Sequence, residues 1–178
     1  MSELRTNRIV PRDGLPSGSS GGIIQIKQTV LTEYKTFSDT SYVDIDGLSV
    51  SITPTRSDSK IMVMVNFNAS IGTADRWYIF QLVRGSTAIC VGDAASSRSV
   101  GSVGGVRVNT GNSSDGNNVE HYSINFLDSP STTSSTTYKI QGKCQSGATG
   151  VINRSGTDGN ADYGLRLAST ITAMEVSG

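Results

Sequence analysis

The sequence predicts an all-β fold, an antiparallel two-sheet sandwich of the jelly-roll type preceded by an extended N-terminal arm. Apolar and polar residues alternate with a period of two in one segment after another, as they do when successive side chains point to opposite faces of a sheet. About eight to ten such segments recur at intervals of roughly ten residues, the spacing of sandwiches and barrels. No apolar pattern of helical period extends beyond about three turns.

The most regular alternation runs through residues 60–70, and the predicted core is arranged around it. Its apolar face consists of Ile61, Val63, Val65, Phe67 and Ala69. Met62 and Met64 lie on the opposite face, which normally meets water in a sandwich. The two methionines therefore indicate a cover, either a second copy of the chain or a loop of the same subunit.

The other strands follow in order, with turn residues between them. Residues 23–30 form the first strand, and residues 42–54 the next, with Leu48, Val50 and Ile52 inward and Pro54 at its end. Residues 77–84 are apolar on both faces, which places them near the central strand, and residues 88–92 return as a hairpin. Further strands are predicted at 120–130 and 136–144, and the last segment, L-R-L followed by residues 169–176, ends on a strand. Residues 93–118 are a polar excursion with one weak strand near 106–108, and residues 145–162 are a second excursion around a short V-I-N.

Two domains are predicted: an arm with a Gly/Ser linker at residues 1–22, and the sandwich at residues 23–178. The run S-G-S-S-G-G behaves as a loose coil and separates the arm from the sandwich. The arm combines apolar and cationic residues that suit docking on a partner, namely Leu4, Arg5, Arg8, Ile9 and Arg12. The alternative is a disordered tail.

Composition excludes several classes of partner. The formal net charge is zero, so no attraction of the whole molecule to nucleic acid or an acidic membrane is expected. The N-terminus has no signal-peptide apolar region, and no apolar run approaches the ~18 residues of a membrane span. Cys90 and Cys144 are expected to be reduced, with a disulfide between them as the less favoured alternative.

The sequence offers little support for catalysis or metal binding, and we expect no enzyme activity, cofactor or metal. His121 is the only histidine, and no serine lies in a G-x-S-x-G nucleophile elbow, because the one string of that form, at residues 18–22, belongs to the Gly/Ser linker. Asp44 and Asp46 share one strand face beside a turn, which leaves a small glycan hydrolase as a remote alternative. The Asp-, Asn- and Gly-containing stretches 115–118 and 157–162 lack the spacing of a calcium loop and are explained by turn geometry.

Amide-rich loops are the remaining candidates for recognition. The candidate recognition residues are Asn109, Asn112, Asp115, Asn117, Asn118, Asn153 and Asn160. Uncharged amide donors and acceptors suit the hydroxyl groups of a surface glycan, and several copies would multiply weak contacts. Solvated turns are the alternative for each residue taken singly.

Five segments follow one another along the chain: L-R-T-N-R-I-V, G-G-I-I-Q-I-K-Q-T-V, D-I-D-G-L-S-V-S-I-T-P, S-K-I-M-V-M-V and S-T-I-T-A-M-E-V. With these segments in this order, the sequence resembles small virion proteins and tail-fibre modules of tailed bacteriophages, particularly cyanophages. The chain also resembles the C1q/TNF-type jelly-roll trimers. The resemblance implies a homotrimeric virion protein, made in the host cytoplasm. It also implies an arm that anchors to a tail adaptor, nozzle or capsid protein, and loops that face the host. A tail fibre is the favoured interpretation, and a capsid decoration or knob protein is the alternative.

The trimer implied by the resemblance sharpens the interpretation of the two strands that are apolar on both faces. We expect Met62, Met64, Tyr78 and Phe80 to line the subunit interface. Ile61, Val63, Val65 and Phe67 are expected to fill the sandwich instead.

Overall fold

A computed structural model describes residues 22–107 and 116–177. These residues form eleven strands and no α-helix. The strands are β1 (Ile23–Leu31), β2 (Lys35–Phe37), β3 (Val43–Ile52), β4 (Lys60–Ile71), β5 (Arg76–Arg84), β6 (Thr87–Ile89), β7 (Val103–Arg107), β8 (Glu120–Asp128), β9 (Thr136–Cys144), β10 (Gly150–Ile152) and β11 (Ser169–Val176).

The strands form two antiparallel sheets that pack face to face. Sheet A has the neighbours β1, β11, β4 and β8, and β10 joins the C-terminal end of β4 and carries β2 on its other side. Sheet B has the neighbours β3, β9 and β5, with β6 and β7 along the far edge of β5. The predicted antiparallel two-sheet sandwich is confirmed.

The core lies between the sheets and is centred on β4. Ile61, Val63, Val65 and Phe67 are fully buried, as the alternation of this strand predicts. The ring of Phe67 contacts the ring of Phe80 edge to face, with their centroids 4.9 Å apart. This geometry is favourable for aromatic pairs and adds to the hydrophobic gain of burying both side chains.

Tyr78 and Phe80 belong to this core, so their predicted place in a subunit interface is wrong. They are 3% and 0% exposed in the single chain. Because β5 is apolar on both faces, its alternation does not identify the inner side. The inner side is determined by the partners across the sandwich: the ring of Phe80 also contacts that of Phe37 at 5.5 Å. Trp77 and Ile79 lie on the outer side and are half-buried.

Strand β2 was not predicted, because its three residues show no apolar alternation. Its position depends on a long-range contact with β10, where Gly150 pairs with Phe37. A Cβ atom at Gly150 would lie 2.2 Å from Cζ of Phe37, so only glycine leaves room for that ring. Strand β7 also begins earlier than predicted, at Val103.

Glu175 is a buried carboxylate on the inner side of β11, and neutral groups satisfy it. It is 0% exposed. Its oxygens accept hydrogen bonds from Gln25 Nε2 at 2.6 Å and from Ser59 Oγ at 2.7 Å. The backbone N–H and hydroxyl of Thr55 also donate, each at 2.7 Å. Burial by itself raises the pKa, but these donors outweigh it and lower the pKa of Glu175 to about 2.

Asp128 joins the two sheets at the C-terminal end of β8. Its carboxylate, 5% exposed, accepts two hydrogen bonds from Arg84 Nη1 at 2.8 and 3.0 Å. The hydroxyl of Tyr138 donates a third at 2.7 Å. Arg84 and Tyr138 belong to sheet B, so this buried charge is compensated only when the two sheets are correctly aligned.

The lowered pKa of Glu175 predicts a loss of stability in acid. A carboxylate whose pKa falls on folding contributes stability above its unfolded pKa and loses it as the pH falls through the folded value. The difference between 4.5 and about 2 corresponds to about 3 kcal/mol. We expect denaturant titrations between pH 4.5 and 2 to show a loss of this size, and Glu175→Gln to remove that part of the pH dependence.

Asp58→Asn is the matched control, since the Asp58 carboxylate has a lowered pKa but is exposed and paired with Arg56. Exposed pairs contribute little, so the pH profile of this variant should follow that of the unmodified protein. Parallel pH profiles for Glu175→Gln and the unmodified protein would contradict the role given to Glu175.

Candidate interaction surfaces

The outer side of sheet A carries a row of large apolar residues across four adjacent strands. Ile26 pairs with Met174, Met174 with Met62, and Met62 with Leu127. We call this row and the neighbouring Val30 and Met64 the apolar face. Ile26 and Leu127 are 55% and 52% exposed. Met62 and Met64 are half-buried and point outward, as their place in the alternation predicts.

The apolar face carries almost no charge. Lys60 is the one Lys, Arg, Asp or Glu among the described outward residues of β11, β4 and β8, and it lies at an edge with its ammonium 2.8 Å from Ser129 Oγ. Polar neighbours are bonded within the subunit, as Gln28 Nε2 donates to Thr172 Oγ1 at 2.8 Å. An uncharged apolar surface of this kind is typical of a contact with another protein.

The outer side of sheet B is different, because a polar network covers it. Lys139 Nζ and Gln141 Nε2 each donate to the carboxylate of Asp44 at 2.7 Å. These two hydrogen bonds, that of Lys139 first, lower the pKa of Asp44. Gln141 in turn accepts from Gln81 Nε2 at 2.8 Å. The central part of sheet B, around β9, thus presents satisfied polar groups to water, while Trp77, Ile79 and Val106 lie toward its β7 edge. The centre of sheet A presents apolar side chains instead.

The predicted loop residues are distributed over different environments. Asn118 and Asn160 are exposed and Asn117 is half-buried, whereas Asn109, Asn112 and Asp115 lie outside the described residues. The predicted anchoring residues of the arm also lie outside them; these are Leu4, Arg5, Arg8, Ile9 and Arg12. The proposed roles of all these residues therefore remain predictions.

Asn153 is buried, so the prediction that it faces a host is wrong. It is 0% exposed and has a φ of 64°, a conformation that asparagine tolerates better than most residues. Its Nδ2 donates to the carbonyl oxygens of Leu31 and Glu33 at 2.7 and 3.1 Å. Its Oδ1 accepts from Ser169 Oγ at 2.5 Å. The side chain supports a loop from within instead of contacting a ligand.

The loop that Asn153 supports presents a cluster that the sequence does not reveal. The guanidinium groups of Arg154 and Arg166 lie 4.8 and 5.6 Å from the ring centroid of Tyr34. Asp158 pairs with Arg166 at 2.5 Å and with Arg154 at 3.8 Å. More than 100 residues separate Tyr34 from these partners, and no periodic pattern links them. The pairing of β2 with β10 and the backbone bridge between Arg154 and Arg166 bring them together.

Other candidate chemistry is sparse within the described ranges. Cys90 is exposed, Cys144 is buried, and both are free thiols. The described residues contain no group of three or more His, Cys, Asp or Glu side chains placed to hold a metal ion. No helix in the same part of the chain is long and apolar enough to cross a membrane. His121 lies on the outer side of sheet A, with Nδ1 at 3.1 Å from Asn68 Oδ1.

Comparison with known proteins gives a likeness of structure only. No protein-family model matches the sequence, and no curated protein matches it. Among solved structures, the fold is similar to a chain of the "Structure of infectious bursal disease virus Gx strain", with a TM-score of 0.40 and 13% sequence identity. The match covers 98% of this chain but 45% of that chain, so the protein spans less than half of its length.

We expect Asn153→Ala to destabilise the protein. The variant leaves the buried carbonyl oxygen of Leu31 and the partly buried one of Glu33 without their donor, at a cost of about 1–3 kcal/mol for a buried bond. It also places alanine at a positive φ. Chemical denaturation measures the loss of stability. Hydrogen exchange at the backbone amides of residues 31–35 should accelerate more than exchange in β4.

Asn153→Gly separates the two causes, because glycine tolerates the positive φ but supplies no donor. It should keep most of the destabilisation. Asn160→Ala is the exposed control and should change stability by less than about 0.5 kcal/mol. Equal effects of Asn153→Ala and Asn160→Ala would contradict the supporting role of Asn153.

Proposed function

We propose that the protein is a non-enzymatic structural component of a phage virion, a homotrimer held together through the apolar face. The single observation that carries this proposal is the contrast between the two outer sides of the sandwich. Sheet B meets water with a bonded network around Asp44, whereas sheet A exposes Ile26, Val30 and Leu127 at more than half of their surface. Neighbouring exposed apolar side chains of this kind are typical of a protein contact.

A second copy of the chain is the partner that the apolar face suits. Two copies placed face to face, or around an axis, bring no like charges together, because the described centre of the face is uncharged. The thioether side chains of Met62, Met64 and Met174 adapt to an irregular opposing surface. The resemblance of the sequence to phage virion proteins favours three copies.

The arm and the loops complete the proposal. Leu4, Arg5, Arg8, Ile9 and Arg12 would anchor the trimer to another virion protein, a tail adaptor or nozzle in a tail fibre. The exposed loops that carry Asn118 and Asn160 would face the host surface. In the alternative, the protein is a capsid decoration protein. The same trimer would then be anchored by the same arm to a capsid protein of the shell.

We expect the purified chain to have about three times its mass of 18.7 kDa at micromolar concentration, measured by light scattering. Leu127→Asp should dissociate it with the fold retained, because Leu127 is 52% exposed and a charge there meets water in the free subunit. Val65→Asp should show the reverse order, since Val65 is 0% exposed and a buried charge unfolds the subunit.

Val106→Asp is the matched control for Leu127→Asp. Val106 is 56% exposed but lies on β7 of sheet B, so the same introduction of a charge should leave the oligomer intact. Dissociation by both variants, or a monomeric unmodified protein, would contradict assembly through the apolar face.

Deletion of residues 2–20 should leave the trimer folded but prevent its incorporation into phage particles. The deletion removes the predicted arm and stops before β1, which begins at Ile23. Incorporation is measured by immunoblotting purified particles from an infection complemented with the variant, and Arg56→Gln in the sandwich serves as the control. Normal incorporation of the deletion would rule out anchoring by the arm.

Imaging of labelled particles distinguishes the two virion positions. Signal at the tail vertex supports the tail fibre, and signal distributed over the shell supports the decoration protein.

A further inference from the structure

An open cleft of about 600 Å³ lies beside β2, away from the row that crosses the apolar face. Its lining is Thr32, Glu33, Tyr34, Lys35, Thr36 and Arg166. Tyr34 remains 48% exposed although two guanidinium groups contact its ring. The cleft thus offers part of an aromatic surface to a ligand, with hydroxyl and charged groups around it.

The floor of the cleft is held in place from inside the subunit. Asn153 binds the carbonyl oxygens of Leu31 and Glu33, on either side of Thr32, and it is itself held by Ser169. The backbone of Arg154 pairs with that of Arg166 in an isolated bridge. Groups fixed in this way lose little conformational entropy when a ligand binds.

The charges around the cleft are balanced. Lys35 lies 2.8 Å from Glu33, and Arg166 lies 2.5 Å from Asp158. Arg154 is a third cation, and Asp46 is a further carboxylate that acts on Lys35. Both cations of the lining, Lys35 and Arg166, are thus already paired with a carboxylate. The cleft therefore has no excess field for an anion, but it offers many donors and acceptors on rigid planar groups.

We propose that this cleft is a binding site for a neutral saccharide. Each sugar hydroxyl both donates and accepts, which matches guanidinium donors next to carboxylate acceptors and the hydroxyls of Thr32 and Thr36. The C–H side of a pyranose ring is apolar and packs on the open part of the Tyr34 ring. The site gives a location to the host-surface contact of the proposed function, on which it rests.

The test uses the full-length protein with neutral and acidic probes. Saturation-transfer NMR and calorimetry are performed with maltotriose, mannotriose and trigalacturonate. We expect at least one neutral trisaccharide to bind with an affinity that 0.5 M NaCl does not weaken, because screening does not act on an uncharged ligand. Tyr34→Ala should lower that affinity about tenfold or more, and Tyr34→Phe should keep it within about threefold.

Matched controls use similar residues outside the cleft. Tyr163→Ala replaces another exposed tyrosine, 57% exposed, and should bind as the unmodified protein does. Arg166→Gln should weaken binding about tenfold, whereas Arg56→Gln, which also breaks an exposed pair with an aspartate, should not. Unfolding curves and the solution mass are measured for every variant.

Three outcomes overturn the inference. They are a preference for trigalacturonate that salt abolishes, equal losses in Tyr34→Ala and Tyr163→Ala, and no binding of any probe by the intact oligomer. An intact trimer that enters particles but binds no saccharide overturns the cleft assignment alone. If the protein is a monomer and binds a neutral trisaccharide through Tyr34, the proposed trimer is wrong and the proposed saccharide site stands.

Discussion

The structure depends on the hydrogen-bonding of β4 along both of its edges. This strand pairs with β8 on one side and with β11 and then β10 on the other, so four separate segments of the chain meet along twelve residues. Its inner side chains are fully buried. The pairing register of β4 with its neighbours cannot shift by one residue, because that shift would turn Asn66 and Asn68 into the core. The register of β4 therefore determines the register of sheet A, and sheet A determines which side chains reach the outside.

Alternation was enough to predict the strands whose two faces differ in polarity. In β3 and β4 the inward residues are those that the pattern selects, because Ser49 and Ser51 in β3, and Asn66 and Asn68 in β4, mark the face that does not enter the core. In β11 the buried face includes Glu175, which no apolar pattern selects. Alternation failed in β5, where both faces are apolar and only the packing of Phe80 against Phe37 and Phe67 decides. It failed again at Asn153, since composition marks an amide as polar but does not show that three neighbours satisfy it in the interior.

The buried polar groups contribute more to the alignment of the two sheets than to the free energy of unfolding. Asp128 connects β8 to β5 and β9, and Glu175 connects β11 to the loop after β3. Apolar contacts alone tolerate small displacements, whereas a buried carboxylate must meet its donors at hydrogen-bond distance. The two carboxylates therefore help to fix how sheet A lies on sheet B. Neither group shows a periodic signal, because its partners come from distant parts of the chain.

The place of β11 has a consequence for the timing of synthesis. This strand is inserted between β1 and β4, although it follows them by more than 90 residues in the sequence. Until residues 169–176 have left the ribosome, β1 has no neighbour in sheet A, and the edge of β4 that will receive β11 is open. Residues 23–168 therefore have unpaired strand edges until β11 has been synthesised. Unpaired edges of this kind can pair with other chains, so nascent chains on one polysome are most prone to aggregate before β11 is in place.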